Sequence, residues 1–228
     1  MAASAHSASH RYVAAAFVAL GTLFFFFPQL DLWASGLFYT DGQWSPLRDS
    51  AWVRLPYDYV PLAGRLLLLG ALVLWAIGAL PALRPHIASG LRRQCAFLLV
   101  AAALGQGLFI DTLLKNQMGR ARPAEVQAFG GERQFTPAFV PSDQCPRNCS
   151  FVSGHVGATA FLMGLGWLAA PARRRRWLLI SIAAASYMAP CRILQGGHFL
   201  SDTVLAWFFT YGSFWLTEHL FRRLRWLP

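Results

Sequence analysis

The sequence predicts an all-α fold: a polytopic membrane protein with a six-transmembrane-helix bundle, in one domain covering residues 1–228. Three observations carry this. Of the 228 residues 56% are apolar and 13% are charged, against roughly 25% charged in a soluble domain. The apolar residues arrive in long blocks, and crossing a hydrocarbon core takes about 20 residues of helix. The blocks end in Arg or Pro. Disorder, a collagen-like fibre and a small disulfide-built scaffold are excluded by the same composition. No internal repeat, low-complexity tract or Gly/Ser linker divides the chain.

Six stretches qualify as spans. The first, 12–30, holds the phenylalanines at 24–27 and meets Pro28. A cleaved signal peptide is the alternative there, because His6, His10 and Arg11 precede the run. Pro28, Asp31, Leu32 and Trp33 make a poor small-residue cleavage site, so a retained helix is expected. The second, 62–80, and the third, 94–114, are long apolar runs, the third closed by Lys115. The fourth, 155–170, and the fifth, 177–194, are short, and Pro190 is expected to kink the fifth. The sixth is 199–219.

The net charge of +10 does not indicate a nucleic-acid partner, which would need basic residues gathered on a soluble face. The basic residues sit mainly at the ends of apolar blocks, and Lys115 is the single lysine among them. The bias of Lys and Arg toward short cytoplasmic loops sets orientation. Arg11, Arg84, Arg92, Arg93, the arginines at 173–176, Arg222, Arg223 and Arg225 then face the cytoplasm, with both termini. The other face receives Arg48, Arg54, Lys115, Arg120, Arg122, Arg133, Arg147 and Arg192 in longer loops. Glu218 and His219 are expected at the cytoplasmic end.

Two connections are too long to be turns. Residues 31–61 mix charges with Trp33, Phe38, Tyr39, Trp44, Trp52, Tyr57 and Tyr59. Such amphipathic aromatics settle at headgroup level, so this segment is expected along the outer surface, as an aromatic belt or in lipid recognition. Residues 115–151 are polar and proline-rich, and their backbone cannot lie unsatisfied in lipid. Cys95 falls on the reducing side and is expected to be a buried hydrophobe. Cys145, Cys149 and Cys191 fall on the outer side, where a Cys145–Cys149 bridge would cinch the loop. Free thiols remain the alternative for so close a pair, and zinc a weaker one, since no Cys-x-x-Cys pair or clustered histidine is present.

Three polar constellations lie at the outer ends of the helices. Lys115 closes the third span, with Arg122 and Pro123 following; taken alone, such cations suit a helix C-terminus. Ser150-Phe-Val-Ser153-Gly154-His155 opens the fourth; taken alone it is an N-cap with a chance histidine. With exposed N–H groups and a glycine it is also an anion cradle. Arg192 precedes His198 and Asp202, which are four apart and share a helix face. The aspartate can hold the imidazole in one tautomer. Separately each has a structural explanation, but all three are expected at one membrane face.

Together they resemble the type-2 phosphatidic acid phosphatase superfamily, which includes vanadium haloperoxidases and glucose-6-phosphatase. Its signatures are Lys-x6-Arg-Pro, Pro-Ser-Gly-His and Ser-Arg-x5-His-x3-Asp. Here they read Lys115 with Arg122-Pro123, Val152-Ser153-Gly154-His155, and Cys191-Arg192 with His198 and Asp202. The match spans 115–202 in order and spacing, departing at Val152 for proline and Cys191 for serine. Phe135-Thr-Pro and the stretch from Cys145 to His155 are similar to a bacterial branch often associated with lipid A phosphatases.

The chemistry follows from the residues. Phosphoryl transfer requires charge on three equatorial oxygens to be spread and neutralised. Lys115, Arg122 and Arg192, with Ser153 and the Gly154 and His155 N–H groups, can do this without metal or cofactor. His198 is the expected nucleophile, held by Asp202, and His155 the acid and then the base; the resemblance implies the same roles. Asp111 either pairs with Lys115 along the helix or helps close the site. Arg120 is expected to touch phosphate or a lipid headgroup.

A site at the outer interface suits a membrane phospholipid or glycolipid whose tails stay in the bilayer. Lipid A phosphate leads, with undecaprenyl diphosphate, phosphatidylglycerol phosphate and phosphatidate as alternatives. The expected location is a bacterial inner membrane, with no obligatory protein partner. Phosphotransfer to another lipid would use the same phosphohistidine. A haloperoxidase is disfavoured because vanadate chemistry needs no spans. A transporter is disfavoured because its charges would lie near the midplane.

Overall fold

The computed structural model describes residues 2–226 other than 82, 84 and 86. Arg84, expected on the cytoplasmic side, lies outside the described residues. The chain is mostly helical. α1 (Ala2–Phe26) ends just before Pro28, and the chain turns by 83° into α2 (Gln29–Gly36). Pro28 has no N–H to continue the ladder and its ring clashes with the carbonyl four residues back. The turn carries Asp31 into the protein interior, so the first apolar helix stops short of residue 30.

A two-stranded hairpin follows, β1 (Tyr39–Thr40) with β2 (Gln43–Trp44). Asp41 and Gly42 join the strands with φ of 52° and 76°, the positive-φ pair that a two-residue hairpin turn requires. Tyr39 and Trp44 pack on Phe129, with ring centroids 5.5 Å away in each case. Trp33 and Tyr59 are exposed. The aromatic segment therefore divides between a packed cap and exposed rings.

α3 (Ala51–Ile77) begins eleven residues before the expected span at 62. Pro56 and Pro61 lie inside it, and their missing N–H groups free the carbonyls four residues earlier. The Trp52 carbonyl accepts the Tyr187 hydroxyl at 2.7 Å. The Tyr57 carbonyl is freed in the same way.

α4 (Ser89–Ala102) continues through π-helical turns over Ala103–Leu114 into α5 (Lys115–Gln117). Gln106 Nε2 donates to Asp111 Oδ1 at 3.2 Å; residues five apart meet in a π turn but diverge on an α-helix. α6 (Gly154–Ala160), a 3₁₀ turn and α7 (Gly164–Leu168) occupy the expected fourth span. α8 (Pro171–Leu194) and α9 (Leu200–Arg223) complete the bundle.

Among the described residues, α3, Gly90–Gln117 and Ala172–Leu194 are long and apolar enough to cross a membrane; the bent α1–α2 pair makes up to four. α9 has the length but not the composition. It packs against α1, α4, α6 and α8, so its hydroxyls face protein. Thr210 and Thr217 donate back to the Ala206 and Ser213 carbonyls at 3.0 and 2.7 Å. Such helices need small residues for close approach rather than a lipid-soluble face. α3 is the reverse case, with Leu66, Leu67, Leu69, Leu72 and Val73 exposed.

The bundle has two chemically distinct ends. At one, Glu218 accepts from Trp167 at 2.9 Å and from Arg174 and Arg222 at 3.0 Å, with His10 at 3.9 Å. The three constellations gather at the other.

Candidate active site

Main-chain hydrogen bonds stitch the motif segments together. Cys149 N–H donates to the Lys115 carbonyl and Ser150 N–H to the Arg120 carbonyl, both at 2.9 Å. Ser153 N–H donates to the Asp202 carbonyl and Ala124 N–H to the Gly196 carbonyl, both at 3.0 Å. Segments up to 72 residues apart in sequence thus share one floor.

Lys115, Arg122 and Arg192 come within electrostatic range of one another. Lys115 and Arg192 are buried and Arg122 is half-buried. Lys115 Nζ donates to Asn148 Oδ1 at 2.7 Å, and Arg122 Nη2 to the Asn148 carbonyl at 2.8 Å. Asn148 sits at φ 52°, a left-handed conformation that Asn tolerates. It lies inside the loop closed by a Cys145–Cys149 disulfide, which takes both sulfurs out of zinc coordination. Cys95 and Cys191 are free and buried. A cavity of about 360 Å³ opens beside these cations, lined by Arg122, Arg192, Tyr57, Asp58, Arg54 and Arg48 among others.

His198 is 1% exposed, and its Nδ1 lies 2.7 Å from the Ser150 carbonyl oxygen. A carbonyl only accepts, so Nδ1 carries the proton and, in the neutral ring, Nε2 carries the lone pair. Asp202 Oδ2 is 3.8 Å from Nδ1, too long for a hydrogen bond. The aspartate therefore does not orient the imidazole by direct hydrogen bonding, as its four-residue spacing suggests. The carbonyl holds the tautomer and the carboxylate supplies charge nearby. Asp202 Oδ2 accepts the Ser150 hydroxyl at 2.5 Å and Phe199 N–H at 2.8 Å. Burial pushes the His198 pKa down to about 3, against the pull of Asp202.

Arg120 does not face phosphate or a headgroup. It is 1% exposed and donates to Asp202 Oδ1 at 2.5 Å, Asp31 Oδ2 at 2.7 Å and the Thr136 carbonyl at 2.8 Å. Phe199 and Phe135 flank its guanidinium at 4.4 and 5.5 Å. Burial opposes the charge, but the Asp202 and Asp31 carboxylates outweigh it and raise the pKa above the ordinary value.

His155 stacks on Tyr57. On the same Tyr57 ring the Arg192 guanidinium sits 4.7 Å from the centroid. Ser153 caps α6, its hydroxyl oxygen accepting Val156 N–H at 3.5 Å, and Gly154 opens the helix. Of the two readings of Asp111, a direct hydrogen-bonded pair with Lys115 is not made: π turns present Asp111 to Gln106, and Lys115 turns to Asn148. Asp111 lies near Gly154, where an added Cβ would stand 4.0 Å from Oδ1.

Three residues of the site escape motif reading. Asn148 lies between two cysteines that were conspicuous for another reason. Tyr57 is one aromatic among seven in its segment. Asp31 is a lone acid after Pro28, and no local pattern pairs it with Arg120.

The lipid A 4'-phosphatase of Francisella tularensis subsp. novicida is 35% identical over 133 residues, 58% of this chain and 60% of that one. Those of Rhizobium etli and Rhizobium leguminosarum are each 37% identical, over 47% and 46% of this chain and 42% and 45% of theirs. The matches thus span about half the length of these relatives. No solved structure matches the chain. Residues 95–226 match the PAP2 superfamily; this stretch contains all three constellations and more than half the sequence, and the chain belongs to that superfamily.

Proposed function

We propose that the protein is a bacterial inner-membrane lipid phosphatase that hydrolyses a phosphate ester on a lipid headgroup at the periplasmic face, through a phosphohistidine. The observation that carries this is the His198 geometry: Nδ1 bound to a carbonyl, Nε2 without a hydrogen-bond partner among the described residues, in a site where Lys115, Arg122 and Arg192 gather.

The substrate phosphate sits among Lys115, Arg122, Arg192, Ser153 and the first N–H groups of α6, which have no partner within the helix. Each charged hydrogen bond contributes roughly 1.5 to 3 kcal/mol. His198 Nε2 attacks phosphorus, a P–N bond forms and the P–O ester bond breaks. His155 gives its proton to the departing oxygen. Water then attacks the phosphohistidine, His155 removes a proton from it, the P–N bond breaks and inorganic phosphate leaves. Asp202 stabilises the positive charge that His198 acquires.

Six passages, with α6–α7 as the fourth, place the basic end with Arg174 and Arg222 in the cytoplasm and the site outside. A phosphate at that interface is reached by a lipid whose tails remain in the bilayer. Lipid A is the leading substrate, on the strength of the relatives' names. The test is phosphate release by detergent-purified protein, with EDTA present, from lipid A, undecaprenyl diphosphate, phosphatidylglycerol phosphate and phosphatidate. Release that disappears in His198→Ala supports the proposal; full activity in a folded His198→Ala protein defeats the nucleophile, and no release from any lipid defeats the phosphatase.

A further inference from the structure

Asp202 shares its arginine with a second buried carboxylate. Asp31 and Asp202 are each fully buried, and Arg120 lies between them through its two terminal nitrogens. Asp31 is itself fixed: Oδ1 accepts Ser201 N–H at 2.7 Å and Oδ2 the Ser201 hydroxyl at 2.6 Å. Arg120 Nη1 also donates to that hydroxyl oxygen at 2.9 Å. Asp31, Arg120, Ser201 and Asp202 therefore form one closed network directly beneath His198.

The charges decide what the network does. Arg120 alone with Asp202 would make a neutral pair, leaving little net attraction for a cation nearby. Asp31 lies on the far side of the guanidinium; burial raises its pKa, but it accepts from Arg120 Nη2, Ser201 N–H and the Ser201 hydroxyl, as a carboxylate does, and as a carboxylate it brings the three groups together to −1. Charges act over longer range in a dry interior than in water, and the His198 ring lies 3.8 Å from the Asp202 end of this triplet.

We propose that Asp31 is a positioning residue for catalysis: by sharing Arg120 it fixes Asp202 in place and offsets the arginine's charge, so that Asp202 stabilises the charge developing on His198. Asp31 belongs to α2, outside the stretch that matches the superfamily, so the N-terminal part of the chain completes the site. The inference rests on the phosphohistidine reading.

The test is Asp31→Asn, which keeps shape and an acceptor for Ser201 N–H but removes the charge. The expected result is a kcat lower by roughly tenfold or more, with KM and inhibition by inorganic phosphate unchanged, because the cations that bind phosphate are not touched. Because Asp31 acts through Asp202, Asp31→Asn added to Asp202→Asn should cost little further. A merely structural residue would raise KM and lower the melting temperature, and its loss would multiply with that of Asp202. Should Asp31→Asn fail to fold, Ser201→Ala removes the hydroxyl that bridges Asp31 and Arg120 and should give a smaller loss with the same coupling. A wild-type kcat in folded Asp31→Asn, or losses that multiply fully, overturns the inference alone. A wild-type protein without turnover overturns the phosphatase and this inference with it.

Discussion

Tyr57 lies flat against His155, with ring centroids 4.5 Å apart and planes within 10°, while its ring also carries the Arg192 guanidinium. One aromatic side chain from α3 thus aligns an acid–base group and a phosphate-binding cation. Tyr57→Ala should lower kcat/KM by about tenfold, the scale of one stacking and one cation–π contact. Tyr57→Phe keeps both faces and should stay near wild type. Steady-state kinetics of the two variants check this; equal losses would show that the hydroxyl, not the ring, matters.

Gly197 is required by Arg192 rather than by its own backbone. A Cβ there would stand 2.4 Å from Arg192 Nη2, so the guanidinium must move. Because it is the end of a flexible side chain, the cost falls on function more than on folding. Gly197→Ala should keep a near-wild-type melting temperature and raise KM several-fold, roughly the loss of one weakened charged hydrogen bond.

Asn148 holds Lys115 by its side chain and Arg122 by its carbonyl. Asn148→Ala removes the first contact and keeps the second. Lys115 then loses its anchor, and inhibition by inorganic phosphate should weaken by about tenfold, the scale of a hydrogen bond to a charged group. Competition assays with inorganic phosphate measure it; unchanged inhibition would mean Lys115 is held by the fold alone.

What was legible in the sequence follows from where the information resides. Lys115, Arg122, Ser153, His155, Arg192, His198 and Asp202 lie at helix ends in fixed spacing, and spacing survives folding. Composition likewise marks α3 and α8, which present apolar residues over most of their length. α9 is different: 199–219 reads as a span, but Thr210, Ser213 and Thr217 are accommodated by burial among helices rather than by a lipid-facing surface. The Arg120 role was illegible because a lone arginine beside Arg122 looks like a second phosphate ligand. Its true partner, Asp31, arrives from 89 residues away through a turn set by Pro28. The start of α3 was misplaced for a related reason, since Pro56 and Pro61 read as loop residues. Inside a helix where the carbonyl freed by Pro56 finds Tyr187, that proline costs less than usual.

The burial of His198 ties stability to pH in a stated direction. Its pKa in the folded protein is about 3, below the roughly 6.5 of a free imidazole, so between these values the unfolded chain binds the proton and the native site does not. Stability from this group is complete above about pH 6.5 and declines as pH falls toward about 3, by roughly 1.4 kcal/mol per unit. His198→Gln removes the titration. Melting temperatures of both proteins in detergent at pH 7 and pH 4 should therefore fall further for the wild type than for the variant. Activity should behave differently: His198 stays neutral across this range, so an acid limb near pH 6 would report the phosphate monoester, whose second ionisation lies at about that value. Parallel melting curves for the two proteins would mean that His198 takes up its proton in the folded state, and with it that Nε2 is not held ready as a nucleophile at low pH.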